Sequence, residues 1–333
     1  MAINDGIDAG KILGLVQGFM ESRILLSAAE LNIFTLLETG PMTAPEIAHR
    51  IGGDLRGVAA LLDAVAAMGL LEKEGGRYRN DSSITRLLSE SSPESVLPMV
   101  LHMASLWTRW SHLTEIARRG DEARQEFHFT RNPDELRAFI GAMHAIGAPL
   151  ARKIVSAVKP GEAKALLDIG GGSGTYTIAF LNAAPQMKAT LFDLPEVIEM
   201  ARERLESEGL LDRVRLVSGN YNEDELPGGH DLVLLSAIIH SNSLDENREL
   251  YRKAFRALNP GGRILIRDHV MDPERIRPGS GAIFAVNMLV GTSGGGSYTY
   301  EEIADGLSGA GFDKTRLLVQ GDNMDAVVEA FKP

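Results

Sequence analysis

Apolar residues along this chain follow two rhythms. Over the first hundred or so positions they recur every three or four residues, the period of amphipathic helices, and from residue 165 short branched-apolar runs alternate with helical stretches. Residues 42–81, "MTAPEIAHRIGGDLRGVAALLDAVAAMGLLEKEGGRYRND", predict helix, turn, helix and hairpin, the order of a winged helix. Thr43 and Glu46 form a capping box, Pro45 sits in the first turn, and Gly52 and Gly53 stop the helix. Leu55, Val58, Leu62, Val65 and Met68 carry the next helical stripe, and a Gly-Gly turn joins the two strands of "LLEKEGGRYRN". Residues 18–38 predict a further apolar helix, and residues 96–120 and 133–158 predict two long helices joining the halves. The first of these holds His102, Met103, Trp107 and Trp110, and the second Met143 and His144, a set that suits either core packing or an aromatic-accepting pocket.

The second half reads as a parallel α/β sheet. "ALLDI", "KATLFDL", "VRLVSG", "DLVLLSAIIH" and "GRILIRDHV" are its strands, with amphipathic stretches between them. At the end, "TRLLVQ" and "DAVVEAF" are separated only by "GDNM", too short for a helical crossover, so the last strand runs antiparallel. The domain boundary is expected near residue 110: a mostly helical winged-helix domain over 1–110, then a helical connector and the α/β domain over 111–333.

Composition narrows the picture. At 333 residues, 44% hydrophobic and 24% charged, the chain suits two ordinary domains. No uninterrupted apolar stretch approaches a membrane span, and the start "MAINDGIDAGK" carries acids where a leader carries bases, so no membrane and a cytoplasmic place are expected. Cysteine is absent, which removes disulfides and thiolate chemistry. A net charge of −11 disfavours nucleic acid. Between Asp54 and Met68 the only base is Arg56, so this helix suits packing or dimerisation better than reading DNA.

Four glycines within five positions, Gly170 to Gly174, follow the first α/β strand, where parallel sheets bind nucleotides. Neither the dinucleotide fingerprint nor a phosphate-binding P-loop is met, because Thr175 stands where the third glycine belongs and no Gly-Lys-Ser/Thr follows. Asp168 precedes the loop, and Asp193 ends the next strand, where a carboxylate accepts ribose hydroxyls. Two acids repel pyrophosphate and tolerate a sulfonium with an ammonium, as in S-adenosylmethionine.

The successive stretches "LLDIGGGSGTYT", "FDLPEVIEMA", "SGNY", the strand ending at His240, "ALNPGGRILIRD" and "EEIADGLSGAGF" resemble the motifs of the plant-type, caffeate- and hydroxyindole-methylating O-methyltransferases over nearly the whole chain. The resemblance implies a Rossmann-like class I methyltransferase sheet with a winged-helix dimerisation domain, a homodimer, S-adenosylmethionine as cofactor and a small-molecule acceptor. It places Gly170, Gly172 and Gly174 with Asp168 against the methionine part, and Asp193 and Leu194 at ribose and adenine. Asn220 and Tyr221 stand where the family has Asp-Met or Asp-Phe, and Ser236 where plant members have lysine. Met143 and Met288 match positions that pack on the acceptor, although a helical Met also serves as core filler, and Trp107 joins them in the expected pocket.

His240 takes the family's general-base position, here followed by Ser-Asn in place of Asp-Trp. A neutral imidazole suits removal of a phenolic proton, and Asp268 fits the first of two flanking acids, while the second falls at Ser297. A structural or positioning histidine, and a local charge pair for Asp268, are the alternatives. His102, His128, His144 and His269 show no metal-ligand spacing, so a metal-independent reaction is expected. The alternative function is a diverged member that keeps the cofactor site: a C-methyltransferase, a non-methylating enzyme or a ligand-binding protein. "MDPERIRPGSG" and "GTSGGGS" are expected as mobile loops over the pocket.

Overall fold

The computed structural model describes residues 7–126 and 133–333, and His128 lies outside them. Contacts divide the chain into two units, Met1–Trp107 with Asn132–Ala145 and Thr108–Arg131 with Ile146–Pro333.

The first unit begins with α1 (Ala9–Glu30) and α2 (Ile33–Leu36), followed by β1 (Met42–Thr43), α3 (Ala44–Ile51), α4 (Leu55–Ala67), β2 (Glu72–Glu74), β3 (Arg77–Arg79) and α5 (Ser82–Leu88). The three strands pair antiparallel in the order β1-β3-β2. The Thr43–Glu46 capping box starts α3, and Gly52 ends it in the left-handed region at φ 64°. Ile33, Phe34, Ile47, Leu62 and Val65 are fully buried in this unit's core. Leu55 is 49% exposed and Met68, the C-cap, is half-buried, so the inward stripe of α4 is narrower than its apolar spacing predicts.

The helices refine one sequence expectation and correct another. By length and composition α1 is apolar enough to cross a membrane, and only 17% of its most apolar window is buried. The criterion of an uninterrupted run missed it because Gln17 and Glu21 punctuate a helix that is apolar on most sides. The single helix expected over residues 96–120 is instead α6 (Leu97–Ser111) and α7 (Leu113–Arg119), broken at His112. The short α8 (Asp121–Glu126) follows, and α9 (Pro133–Val158) forms over the stretch predicted for it.

The second unit carries β4 (Ala165–Ile169), α10 (Thr175–Ala183), β5 (Lys188–Asp193), α11 (Pro195–Ser207), β6 (Val214–Ser218), β7 (His230–Ser236), α12 (Leu244–Ala257), β8 (Leu258–Asp268), β9 (Val270–Met271), α13 (Gly279–Gly291), β10 (Tyr298–Thr299), α14 (Tyr300–Gly309), β11 (Asp313–Val319) and β12 (Ala326–Phe331). Seven strands form one sheet in the order β11-β12-β8-β7-β4-β5-β6. Strands β4 to β8 are mutually parallel, and β12 is antiparallel to both neighbours, Ala326 pairing with Asp268. Leu166, Leu234, Leu265 and Val327 enter the core on one face with α10 and α11, while Leu167, Val233, Ile264 and Val328 enter the core on the other with α12 and α14. Burial on both faces explains why these strands read as continuous apolar runs.

Strand β7 stops four residues short of His240. Ala237 takes φ 59°, a left-handed conformation that costs a non-glycine residue about 1–2 kcal/mol, and its N–H bonds the Arg267 carbonyl at 2.8 Å. His240 therefore sits on a 3₁₀ turn, Ile239–Ser241, and the reading that it closes a strand is corrected. The two loops expected to be mobile are tied down. Asp272 accepts the N–H groups of Ile276 and Arg277 at 3.0 and 3.1 Å, Arg275 donates to the Ser297 carbonyl at 2.9 Å, and the Gly296 N–H bonds the His240 carbonyl at 2.9 Å.

Candidate active site

The glycine loop joins β4 to α10 at the carboxyl edge of the sheet. Its glycines have different physical reasons. Gly170, at φ 66°, lies under the Ile238 side chain, so a Cβ there collides with protein. A Cβ on Gly172, at φ 57°, meets nothing within 4 Å, and this glycine alone of the two opens onto free space where a ligand can approach the backbone. Gly174 is the left-handed N-cap of α10.

Asp193 closes the far side of the loop. One carboxylate oxygen accepts the Gly172 N–H at 2.8 Å and the other the Leu194 N–H at 2.8 Å. A carboxylate offers about four acceptor positions, which leaves two for a pair of ribose hydroxyls. Burial raises the Asp193 pKa against these two backbone bonds. Leu194 is 40% exposed beside it. Tyr221 has a ring carbon 3.9 Å from a Cβ built on Gly170, and its hydroxyl, pushed up to about 12 by burial, donates to Asn242 at 3.4 Å. Asn220 caps its own turn, its N–H bonding Asp224 at 2.8 Å and its side-chain oxygen accepting the Asn222 N–H at 3.0 Å. The space above Gly172 and the spare acceptors of Asp193 fit the adenosine end of a nucleoside cofactor.

Asp168 is only 1% exposed and turns away from this space, accepting the Thr177 hydroxyl at 2.7 Å. Burial raises its pKa to about 6. The Ser236 Oγ accepts Arg267 Nε–H at 2.8 Å.

His240 and Asp268 come together. The imidazole Nδ1–H donates to both carboxylate oxygens of Asp268 at 2.9 Å, although the residues lie 28 apart in sequence. Asp268 is 1% exposed and also accepts the His269 N–H at 2.8 Å. Burial alone raises its pKa, and the His240 imidazole outweighs that and holds it below the usual carboxylate range. With Nδ1 so committed, Nε2 is the ring nitrogen left for an acceptor. Phe284 of α13 meets the His240 ring edge-on at 4.9 Å and the His269 ring at 5.1 Å.

The other flanking position behaves differently. Ser297 is buried and its hydroxyl donates to the Gly281 carbonyl at 2.8 Å, tethering α13 rather than orienting His240. Asn242, where the family's tryptophan stands, joins Tyr221 and Asn247 in a buried amide network, Asn242 Nδ2 donating to Asn247 at 3.1 Å and Asn247 to the Ile239 carbonyl at 2.8 Å. Met288 is 8% exposed on α13, where Trp110 donates to Asn287 at 3.0 Å. Trp107 and Met143 belong to the first unit, Trp107 lying beneath the Arg23 guanidinium at 5.5 Å and Met143 being 36% exposed. Among the described residues no three His, Asp or Glu side chains converge in a way that could hold a metal ion.

Phe284, His269, Arg267 and Asn242 were not singled out as site residues from the sequence. Only Arg267 left a trace, as a charge set next to Asp268 at the end of the apolar run "RILI".

An O-methyltransferase domain model matches residues 110–313, and an O-methyltransferase dimerisation domain model matches residues 13–90. The chain belongs to the O-methyltransferase family. This methyltransferase is 34% identical, over 92% of each chain, to the tetracenomycin polyketide synthesis 8-O-methyl transferase of Streptomyces glaucescens. It is 32% identical to the 3-hydroxy-5-methyl-1-naphthoate 3-O-methyltransferase of Streptomyces sahachiroi, over 91% of this chain and 89% of that one. Among solved structures it resembles human N-acetylserotonin methyltransferase in complex with SAM, with a TM-score of 0.84 and 26% identity over 99% of each chain. The enzyme is an S-adenosylmethionine-dependent methyltransferase with the class I sheet.

Proposed function

We propose that this methyltransferase moves a methyl group to a hydroxyl of a small aromatic or conjugated molecule, with His240 as the general base and no metal ion. The observation that carries the reading is the buried His240–Asp268 pair, in which both carboxylate oxygens face Nδ1 and leave Nε2 available. When bound, the cofactor supplies an electrophilic methyl group on a sulfonium. A phenol of pKa near 10 is only about a thousandth ionised at pH 7, so taking its proton is what the protein must do. Nε2 would accept that proton and so leave the oxygen able to take the methyl group that the bound cofactor would supply. Asp268 then balances the imidazolium charge.

Asp193, Leu194, Asn220 and Tyr221 hold the adenosine end, with Gly172 giving close approach. Met288 and Phe284 wall the acceptor side of His240. The aromatic acceptor is supported by the relatives named for a naphthoate and a polyketide. The enzyme is a homodimer: Ile12, Leu15, Val16 and Phe19 of α1 are 52–84% exposed within the matched dimerisation domain or beside it, and a second copy would cover them. It neither binds nucleic acid nor inserts in membrane, and it works in the cytoplasm, a reading supported by the net charge of −11.

The test is transfer of a labelled methyl group to a panel of phenols and naphthols, with wild type and His240→Ala. The variant is expected to bind the donor with unchanged affinity and to lose about 100-fold or more in turnover. Full turnover in the variant removes the base assignment. The tethering of Ser297 away from His240 favours one other reading, a member that binds the donor without methylating oxygen. Tight donor binding with no labelled product from any acceptor would support that reading instead.

A further inference from the structure

Arg267 is a buried cation with no carboxylate in ion-pair contact among the described residues, although its charge acts through space on Asp168 and Asp268. It is the penultimate residue of β8, on the face shared with Leu265, and is 7% exposed. Its Nε–H donates to Ser236 Oγ at 2.8 Å, another of its N–H groups donates to the Met324 carbonyl, and its guanidinium carbon lies 5.0 Å over the Tyr176 ring. Ion pairs among the described residues link no carboxylate to it. A guanidinium forms five N–H donations, and these contacts use only part of them. Below it, the Tyr176 hydroxyl is buried beside Ser236 and interacts with its hydroxyl.

Removing a charge from water costs several kcal/mol unless other groups compensate, and the N–H donors of Arg267 that these contacts do not use can take a further anion. Three polar side chains converge here from β7, β8 and the first turn of α10: Ser236, Arg267 and Tyr176. They stand at the carboxyl edge of the sheet, on the side of β4 opposite to Asp193. The charge of Arg267 acts on Asp168, the residue at the root of the glycine loop, and opposes the effect of burial there. An adenosine end held by Asp193 on β5 would leave the cofactor's amino-acid end to residues on the β7 and β8 side of the glycine loop. That end carries the only carboxylate of the molecule.

We propose that Arg267, held by Ser236 and Tyr176, is the ion-pair partner of the cofactor's methionine carboxylate. The inference rests on the donor site assigned above. Arg267 is a binding residue here and takes no part in moving the proton. An arginine suits the task better than a lysine, because Nε fixes the guanidinium to Ser236 while the remaining fork stays free for a carboxylate.

Calorimetry with two ligands separates the possibilities: S-adenosylhomocysteine carries the carboxylate, and 5′-methylthioadenosine lacks the whole amino-acid end. Arg267→Met is expected to weaken S-adenosylhomocysteine by about 10- to 100-fold, the worth of a charged hydrogen bond, and to leave 5′-methylthioadenosine unchanged. Arg267→Lys keeps the charge and is expected to recover part of the loss. Equal weakening of both ligands, or none of either, overturns the assignment of Arg267 while leaving the donor site standing. Failure of wild type to bind both ligands overturns the donor site and the inference with it. If Arg267→Met does not fold, wild type is titrated with S-adenosylhomocysteine and its decarboxylated analogue, and equal affinity for the two overturns the proposal.

Discussion

Replacing Asp168 by asparagine should make the ligand-free enzyme more stable, by an amount that grows with pH. The side chain is 1% exposed and takes both the hydroxyl, at 2.7 Å, and the backbone N–H of Thr177, and an amide oxygen can still accept the hydroxyl. Burial raises the carboxyl pKa from 3.8 to about 6, a value already net of the opposing Arg267 charge. A folded-state pKa above the unfolded value means that the stability tied to the neutral form is complete below 3.8 and is lost as pH rises through 6. The resulting cost of the charged carboxylate is about 1.5 kcal/mol at pH 5 and about 3 kcal/mol at pH 8. Asparagine does not titrate, so its advantage over aspartate should increase by about 1.5 kcal/mol between those two pH values. Urea denaturation of both proteins without ligand at pH 5, 6, 7 and 8 measures this directly, the slope of each transition confirming that the unfolding is the same. A difference that is constant with pH, or that shrinks as pH rises, would refute the reasoning, because the raised pKa and the pH-dependent cost are one quantity.

Two further outcomes follow from the geometry. Asp268→Asn keeps the shape of the pair but cannot balance an imidazolium, so methyl transfer should fall by about 10- to 100-fold in single-turnover assays while donor affinity measured by calorimetry holds. In wild type the Asp268 pKa is held low, so the stability it contributes is present above its ordinary value of 3.8 and disappears only as pH falls through its folded-state value, and the variant should lack that acid-side loss. Leu15→Glu combined with Phe19→Glu places charges at two exposed apolar positions of α1, and sedimentation should shift from dimer to monomer with helical content unchanged. A dimer that persists at the same concentration would assign the contact elsewhere.

Much of the architecture was legible in the residues because it depends on short-range rules. Capping boxes at Thr43 and Ser243, the turn at Gly75 and Gly76, and the antiparallel last strand each follow from a few neighbouring positions. The glycine loop and Asp193 were legible for the same reason, since strand, loop and helix are contiguous and the next strand returns alongside. The apolar spacing of α4 misled at Leu55, because periodicity marks a stripe without saying how wide a stripe the partner surface covers.

What the sequence by itself determined is therefore the order of elements, the ligand class suggested by loop and acids, and the candidacy of His240. Tertiary structure decided which groups actually meet. The left-handed turn at Ala237 takes His240 off the strand, Asp268 reaches it from another strand, and Ser297 turns to Gly281 instead. Arg267 and Asp168 changed meaning for the same reason: the fold buries both, and burial converts an ordinary surface charge into one that needs a partner. Local pattern specifies the backbone's path, while charge pairing and desolvation act through space between residues far apart in the chain, and only the packed sheet brings those residues together.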